Sequence, residues 1–357
     1  MAGVYISYPF CAQKCTYCNF ASGVFPKQIE RDYIETLLAT LRTTNWPWTP
    51  ETVYLGGGTP SNAPPEVLSQ VLASVPGAPW REATIEAAPG NLTRDSIVAW
   101  RRSFINRISL GTQSFVQKEL ARTGRKHTPQ IVEQEVALLR EYGMESINLD
   151  LIAGLPGQTQ ASWLESLAWV EKLNVPHVSV YMLEVDEDSR LGSEIIGGGV
   201  RYGAGDIPEE DAVADFYEIA VERLAAMGIP RYEISNFARP GFESVHNLKY
   251  WKREPYLGFG ADAHSFDGDQ RWQNPETPLE FVRTGLREPI RTPADAQNER
   301  FLLGLRLSAG VSGELKPYER IFQRYEQDGL IEREGDFVRL TPRGVLLSNE
   351  VFQAFVP

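Results

Sequence analysis

The sequence predicts an α/β protein built on a mostly parallel sheet, followed by a small α+β unit. Three observations carry this. Short apolar runs alternate with longer amphipathic stretches six times; each run ends in glycine, proline or polar residues; and after about residue 230 the alternation stops. Strand followed by helix, repeated, is the pattern of parallel strands covered by crossover helices.

The apolar runs are Val4–Tyr8, Thr52–Leu55, Ala83–Ala87, Arg107–Leu110, Ser146–Ile152 and His177–Leu183. Their apolar content is nearly continuous, as expected for strands buried on both faces. Helical spacing follows over Arg31–Leu41, Pro65–Ser74, Thr93–Arg102, Pro129–Tyr142, Gln160–Leu173 and Glu210–Met227. The stretches just after the strands, including Gly56-Gly57-Gly58-Thr59-Pro60 and Gly154-Leu-Pro156-Gly157, fall at the strands' C-terminal ends, where barrel-type α/β proteins build sites. The periodicity does not separate a closed eight-fold barrel from an open partial one. Residues 1–230 are thus expected to form the main domain and 231–294 a loop-rich extension, in which Arg231–Phe237 has strand character. Residues 295–357 are expected to form a separate unit: helices over Asn298–Leu307 and Gly313–Gln327, a short hairpin and a last helix over Gly344–Phe352, the order of a winged helix.

With 42% hydrophobic residues in 357, the chain can fill a sizeable core. A formal net charge of −12 argues against a nucleic-acid partner, because phosphate binding needs a basic face, and the C-terminal unit carries no excess of Lys and Arg. No stretch reaches the eighteen or so apolar residues of a spanning helix, and the N-terminus has no signal-peptide pattern, so a cytoplasmic location is expected.

All three cysteines lie in one window, Cys11-Ala-Gln-Lys-Cys15-Thr-Tyr17-Cys18. Such a cluster suits metal binding or redox chemistry better than a disulfide framework. No second Cys or His pair follows at zinc-finger spacing. Iron–sulfur clusters usually take four thiolates, so three would leave one iron of a cubane open to a substrate or cosubstrate. The alternatives on spacing alone are three structural thiols or a zinc site. Other residues with chemistry are Glu86 at a strand end and Asp150 inside an apolar strand, where an acid is costly unless paired, for instance with Arg125.

The C-x3-C-x2-C spacing with an aromatic before the last Cys resembles the radical S-adenosylmethionine (SAM) family. The resemblance implies a partial (β/α)6 barrel with a small C-terminal winged-helix-like domain, and a [4Fe–4S] cluster held by Cys11, Cys15 and Cys18. SAM would chelate the fourth iron, and reduction would cleave it to a 5′-deoxyadenosyl radical. Tyr5-x3-Pro-Phe-Cys11, the glycine loop, Ser109-Leu-Gly-Thr-Gln-Ser-Phe115, Gly124-Arg125-x-His127 and Asp150-Leu-Ile-x-Gly-Leu-Pro-Gly-Gln158 together look like the oxygen-independent coproporphyrinogen III oxidase superfamily, over most of residues 3–310. By that resemblance Tyr5, Gly57 and Glu86 match one SAM site. Tyr17, Gly58, Thr59, Gln113, Arg125 and Asp150 match a second.

Two branches separate here. The oxidase branch, which decarboxylates two propionates of coproporphyrinogen III to give protoporphyrinogen IX, has a further Cys where this chain has Phe20, and a longer N-terminal extension. The His246-Asn-x-x-Tyr250-Trp251 motif instead resembles the HemW branch of haem chaperones. That resemblance implies haem as a further ligand, with His246 as cofactor-binding residue and His264 as a second candidate. It implies haem-accepting proteins as partners, and a membrane-associated acceptor is compatible with a chain lacking a membrane segment. Three departures from the pattern are Ser7 in place of the superfamily's His, Tyr8 in place of an aliphatic residue, and Asp262 in a stretch of small residues.

Overall fold

The computed structural model describes residues 2–285 and 290–356. All six expected strands form: β1 (Ala2–Tyr8), β2 (Pro50–Gly57), β3 (Glu82–Ala87), β4 (Arg107–Gln113), β5 (Ser146–Ala153) and β6 (His177–Met182). The six expected helices follow them, over Lys27–Thr43, Pro65–Ala73, Arg94–Arg102, Pro129–Glu141, Gln160–Leu173 and Glu210–Ala226. Local chemistry sets their starts: Thr93, Thr128 and Thr159 each accept a backbone N–H as N-cap, and Pro129 occupies a first-turn position that needs no N–H.

The six strands pair in parallel and in sequence order, β1 to β6. Right-handed crossovers in unbroken order place every helix on the same face of the sheet, which is barrel winding and not the doubly wound arrangement. One core cluster accordingly joins Val4, Ile6, Val53, Leu55, Ile85, Ile108, Leu149 and Val180 of the strands to Leu37, Leu72, Trp100, Val136, Trp163 and Leu224 of the helices.

The other, concave face is polar, which corrects the reading of the strands as nearly continuous apolar runs. Tyr54, Thr84, Glu86, Arg107, Ser109, Asn148, Asp150, His177, Ser179 and Tyr181 alternate with the helix-facing residues. Both faces are covered, yet only one is apolar, and the alternation has the strand period of two.

Residues 231–294, expected to be loop-rich, extend the sheet at both edges. β7 (Asn236–Ala238) pairs antiparallel with β6, and β8 (Tyr256–Phe259) pairs parallel with β1. β9 (His264–Phe266), β10 (Gln270–Gln273) and β11 (Thr292–Pro293) follow antiparallel, completing eleven strands. Strands of two to four residues are too short to show a period in sequence.

The helix Val245–Trp251 closes the end of the concave face opposite the cysteine loop. Glu82, 6% exposed at the start of β3, accepts from Ser244 Oγ (3.1 Å), Val245 N (2.9 Å) and His246 N (2.8 Å). A carboxylate on the free N–H groups of a helix start is favourable both as hydrogen bonding and against the helix dipole.

The C-terminal unit runs helix (Ala296–Gly304), β12 (Val311–Ser312), helix (Glu319–Gln327), β13 (Ile331–Glu334), β14 (Phe337–Leu340) and two short helices (Pro342–Leu346 and Ser348–Phe352). The helix expected over 313–327 begins six residues later, because Val311–Ser312 pairs with β14 and Lys316–Tyr318 makes a 3-10 turn around Pro317. Phe301, Tyr318, Phe322 and Phe355 form its aromatic core. Arg306 lies over both Trp251 (4.9 Å) and Phe352 (4.8 Å), joining the unit to the helix Val245–Trp251. No described helix is long and apolar enough to cross a membrane.

Glu82→Ala should destabilise the chain by about 3 kcal/mol in denaturant unfolding, since three buried donors lose one acceptor at once. A change below about 1 kcal/mol would show that water replaces the carboxylate at no cost.

Candidate functional site

The cysteine loop lies at the C-terminal ends of the strands and is fixed from three sides. Toward the glycine loop, Gly58 N donates to Tyr8 O (2.9 Å) and Thr59 N to Phe10 O (3.1 Å), while Cys11 N closes the loop's own base on Gly23 O (2.8 Å). Toward the loop after the helix Gln117–Thr123, Thr16 N donates to Thr123 O (3.2 Å) and Gln13 Nε2 to Gly124 O (2.8 Å). On the third side the segment 186–191 contributes Leu191 N to Thr16 O (2.8 Å), Asp186 accepting from Asn19 (3.1 Å), and Arg190 donating to Lys14 O. Sequence reading missed this last support and the short helix Arg190–Ile196 that carries it, because the helix is about two turns long and runs into Gly197-Gly198-Gly199.

Cys11, Cys15 and Cys18 are free thiols of intermediate exposure. Burial and the neighbouring Cys18 and Cys15 push the Cys11 thiol up, while the Thr59 and Ser22 hydroxyls pull it down. Among the described residues no three His, Cys, Asp or Glu side chains already stand at metal-holding distance, so the loop presents the donors without a finished cage. Three soft donors in one loop are the donor set an iron–sulfur cluster takes.

The glycine loop is built for close approach. A Cβ at Gly58 would stand 2.8 Å from Pro9 C and 2.9 Å from Phe10 N, and Gly57 has φ +105°, a left-handed region that favours glycine. Ser7, 4% exposed, fits between two backbones: its Oγ would lie 3.0 Å from a Cβ at Gly57, and its Cβ 3.2 Å from one at Gly260. The small side chain lets the 258–264 turn lie against β1, where an imidazole would hold it off. Tyr8 faces the helices and donates to Glu30 Oε1 (2.6 Å), a bond an aliphatic residue could not make.

Tyr5, Tyr54, Glu86, Gln113, Arg125 and Asp150 converge from the concave face and its rim. Tyr5 and Tyr54 stack at 6.0 Å, and Tyr54 donates to Glu86 Oε1 at 2.9 Å. Burial and then the Asp150 charge push the Glu86 carboxyl from its ordinary 4.5 to about 7, against the Tyr54 hydroxyl and the Gly57 amide. Gln113 sits at a register break in β4 with φ +66°. A non-glycine residue there is strained, a feature that concentrates at functional positions. Arg125 Nη2 reaches Tyr17 OH (3.4 Å), while its Nε is buried with no partner among the described residues. Of the partners open to Asp150, the structure gives it Ser109 (3.0 Å) and Asn148 (2.8 Å) as donors, and burial raises its carboxyl. His127, kept neutral by burial and lowered to about 4, pins the Arg125 loop to Thr112 O (3.1 Å).

Below Asp150 the network runs on to the closed end. Asn148 Oδ1 lies 2.6 Å from His177 Nδ1, His177 Nε2 lies 2.9 Å from Tyr232 OH, and Tyr232 OH accepts from Ser244 N (3.1 Å). These residues were missed in the sequence, although Asn148-x-Asp150 and His177-x-Ser179-x-Tyr181 carry the polar period.

His246 lies toward the closed end and, among the described residues, reaches the other site residues only through the Tyr54 ring. It is 1% exposed, with Nδ1 2.8 Å from Thr52 Oγ1 and Nε2 2.8 Å from Tyr250 OH, and its ring stacks on Tyr54 at 5.3 Å. Burial holds its imidazole down at about 3, so it is neutral. Thr52 is five residues before Gly57 on β2, about 16 Å along the strand. His264 is exposed on β9.

The raised Glu86 carboxyl gives a pH test. Below pH 4.5 it is protonated folded and unfolded; between 4.5 and about 7 only the unfolded form ionises, so stability falls as pH rises and levels above about 7. Relative to Glu86→Gln, the chain should lose stability across that window in denaturant titrations; parallel profiles for the two proteins would refute the placement of Glu86 in a low-dielectric face.

Residues 5–170 match the radical SAM superfamily and residues 292–347 the HemN C-terminal domain. The chain is 33% identical to the heme chaperone HemW of Bacillus subtilis, covering 100% of this chain and 99% of that protein. It is 37% identical to HemW of Escherichia coli over 73% of this chain and 69% of that one. Among solved structures, coproporphyrinogen III oxidase (HemN) from Escherichia coli, a radical SAM enzyme, superposes with a TM-score of 0.84 at 21% identity, covering 99% of this chain and 89% of that one, which establishes the shared fold. The chain belongs to the HemW family of the radical SAM superfamily.

Proposed function

We propose that this protein is a cytoplasmic haem chaperone that binds a [4Fe–4S] cluster and SAM, and that binds haem and passes it to acceptor proteins. The observation that carries the reading is the end-to-end similarity to a protein described as a heme chaperone, together with an intact cysteine loop. Cys11, Cys15 and Cys18 would hold three irons, leaving one position for SAM. When bound, the cluster supplies the electron that reductive SAM cleavage needs. The chain's own residues bind and orient. Gly57, Gly58 and Thr59 let a ligand approach the backbone. Glu86, poised near neutrality, offers a donor or an acceptor to a hydroxyl pair. The unpartnered N–H of Arg125, beside Gln113, fits a carboxylate.

The oxidase reading shares the fold, and the superposition on coproporphyrinogen III oxidase is what favours it. Against it, Phe20 is 66% exposed where that branch has a further thiol, and Ser7 offers no imidazole. His246, neutral and partnered on both nitrogens, serves this reading as the closure of the concave face's far end.

Anaerobic titration of haem into cluster-reconstituted protein should saturate at one haem per chain, and the protein should not decarboxylate coproporphyrinogen III. The triple variant Cys11→Ser, Cys15→Ser, Cys18→Ser should lose the brown absorption of the reconstituted protein. Absent haem binding together with propionate decarboxylation would instead establish the oxidase; normal reconstitution of the triple variant would refute the cluster assignment.

A further inference from the structure

Resting on the cluster reading, we propose that the buried Ser22 hydroxyl donates a hydrogen bond to the cysteinyl sulfurs on the Cys11–Cys18 side of the cluster, and thereby helps set its reduction potential. Ser22 is 5% exposed, and its Oγ lies 4.0 Å from Cys18 Sγ, with no other hydrogen-bond partner among the described residues. Burial raises the Cys11 thiol, and the hydroxyls of Thr59 and Ser22 pull it back down, so Ser22 acts on both outer cysteines of the window. Between a free thiol and a hydroxyl either atom can donate. A sulfur bound to iron has lost its proton while the hydroxyl keeps its own, so with the cluster in place only Ser22 can be the donor.

The chain places this hydroxyl by folding back on itself. Phe10 and Gly23 pair as an isolated parallel bridge, with Gly23 N donating to Pro9 O (2.9 Å) and Cys11 N to Gly23 O (2.8 Å). Phe25 packs edge-on against Phe10 at 5.6 Å, and Phe10 also meets Tyr8 at 5.1 Å and Tyr33 at 5.2 Å. Residues 22–25 are thus anchored to the aromatic cluster around Phe10, the residue just before Cys11. Backbone donors close by are already used: Cys18 N goes to Cys15 O (3.4 Å) and Ser22 N to Phe20 O (2.6 Å), as Cys11 N and Gly23 N go to carbonyls. Beside these four amides, the Ser22 hydroxyl is the donor left for the sulfurs.

The direction of the effect follows from charge. Reduction adds an electron to the cluster, makes its sulfurs more negative and so strengthens any hydrogen bond they accept. A donor held at the sulfurs therefore favours the reduced state and raises the potential, and its removal lowers it. Because Ser22 is buried, water does not readily take the place of a deleted hydroxyl. A serine kept there for packing alone would behave differently, since replacing it by a side chain of similar size would leave the potential where it was.

The test is a potentiometric titration with dithionite of anaerobically reconstituted wild type, Ser22→Ala and Ser22→Thr, followed by electron paramagnetic resonance of the reduced cluster. Ser22→Ala should hold wild-type amounts of iron and sulfide, with a reduced-to-oxidised ratio about tenfold lower at the wild-type midpoint, a downward shift of about 59 mV for one electron. Ser22→Thr keeps the hydroxyl and should keep the wild-type midpoint. Pulsed resonance in heavy water should show an exchangeable deuteron beside the wild-type cluster that Ser22→Ala lacks. An unchanged midpoint in Ser22→Ala, or equal shifts in both variants, would overturn the proposal and leave the cluster standing. If Ser22→Ala takes up no cluster, a wild-type midpoint in Ser22→Thr upholds the hydroxyl's role, and loss of the cluster in both overturns it. Failure of the wild type to reconstitute would overturn the cluster reading, and the proposal with it.

Discussion

The winding of six parallel strands in unbroken order is the constraint on which the rest of this structure depends. It sends every crossover helix to one face, so the apolar halves of the strands are satisfied there and the opposite face has only itself. That concave face is lined with carboxylates, amides, hydroxyls and an imidazole, and buried polar groups are costly unless bonded. Most are bonded, in a chain running from Asp150 through Asn148, His177 and Tyr232 to the start of the helix Val245–Trp251. Among the described residues Arg125 Nε and Thr84 Oγ1 are exceptions; Arg125 lies toward the cysteine loop, and so does Glu86, whose carboxyl is bonded to Tyr54 yet raised.

The two ends of this face are built to different specifications. At the far end Glu82 ties down a helix start, His246 bridges Thr52 and Tyr250, and Arg306 carries the contact from Trp251 into the C-terminal unit. In the His-Asn-x-x-Tyr-Trp motif there, both His246 nitrogens are partnered, Tyr250 bonds His246, and Trp251 lies under Arg306. At the mouth, glycines and free thiols leave room for ligands. Ser7 is the small residue at which these parts meet, between the glycine loop and the turn that leads to His264.

Much of this was legible in the sequence, for identifiable reasons. The strands and helices of the first 230 residues declare themselves by period, and the cysteine spacing and glycine loop point to the site because few other chemistries need them. The strands β7 to β11 were not legible, since they run two to four residues and owe their existence to the edges of a sheet already formed. The polar face was written in Asn148-x-Asp150 and His177-x-Ser179 but masked by the apolar residues between. His246 drew attention as an imidazole beside aromatics, and only the fold shows that Tyr250 and Thr52 occupy its nitrogens. The support given to the cysteine loop by Asp186, Arg190 and Leu191 joins residues about 170 positions apart, which no local pattern reports.

The central claim is that ligands enter at the mouth while the far end stays closed. Amide hydrogen exchange of the reconstituted protein with and without haem tests it most directly. The account predicts slowed exchange in residues 56–60, with residues 245–251 unchanged. Slowing confined to 245–251, with the mouth unaffected, would mean that haem reaches His246 by opening the far end, and would contradict the account.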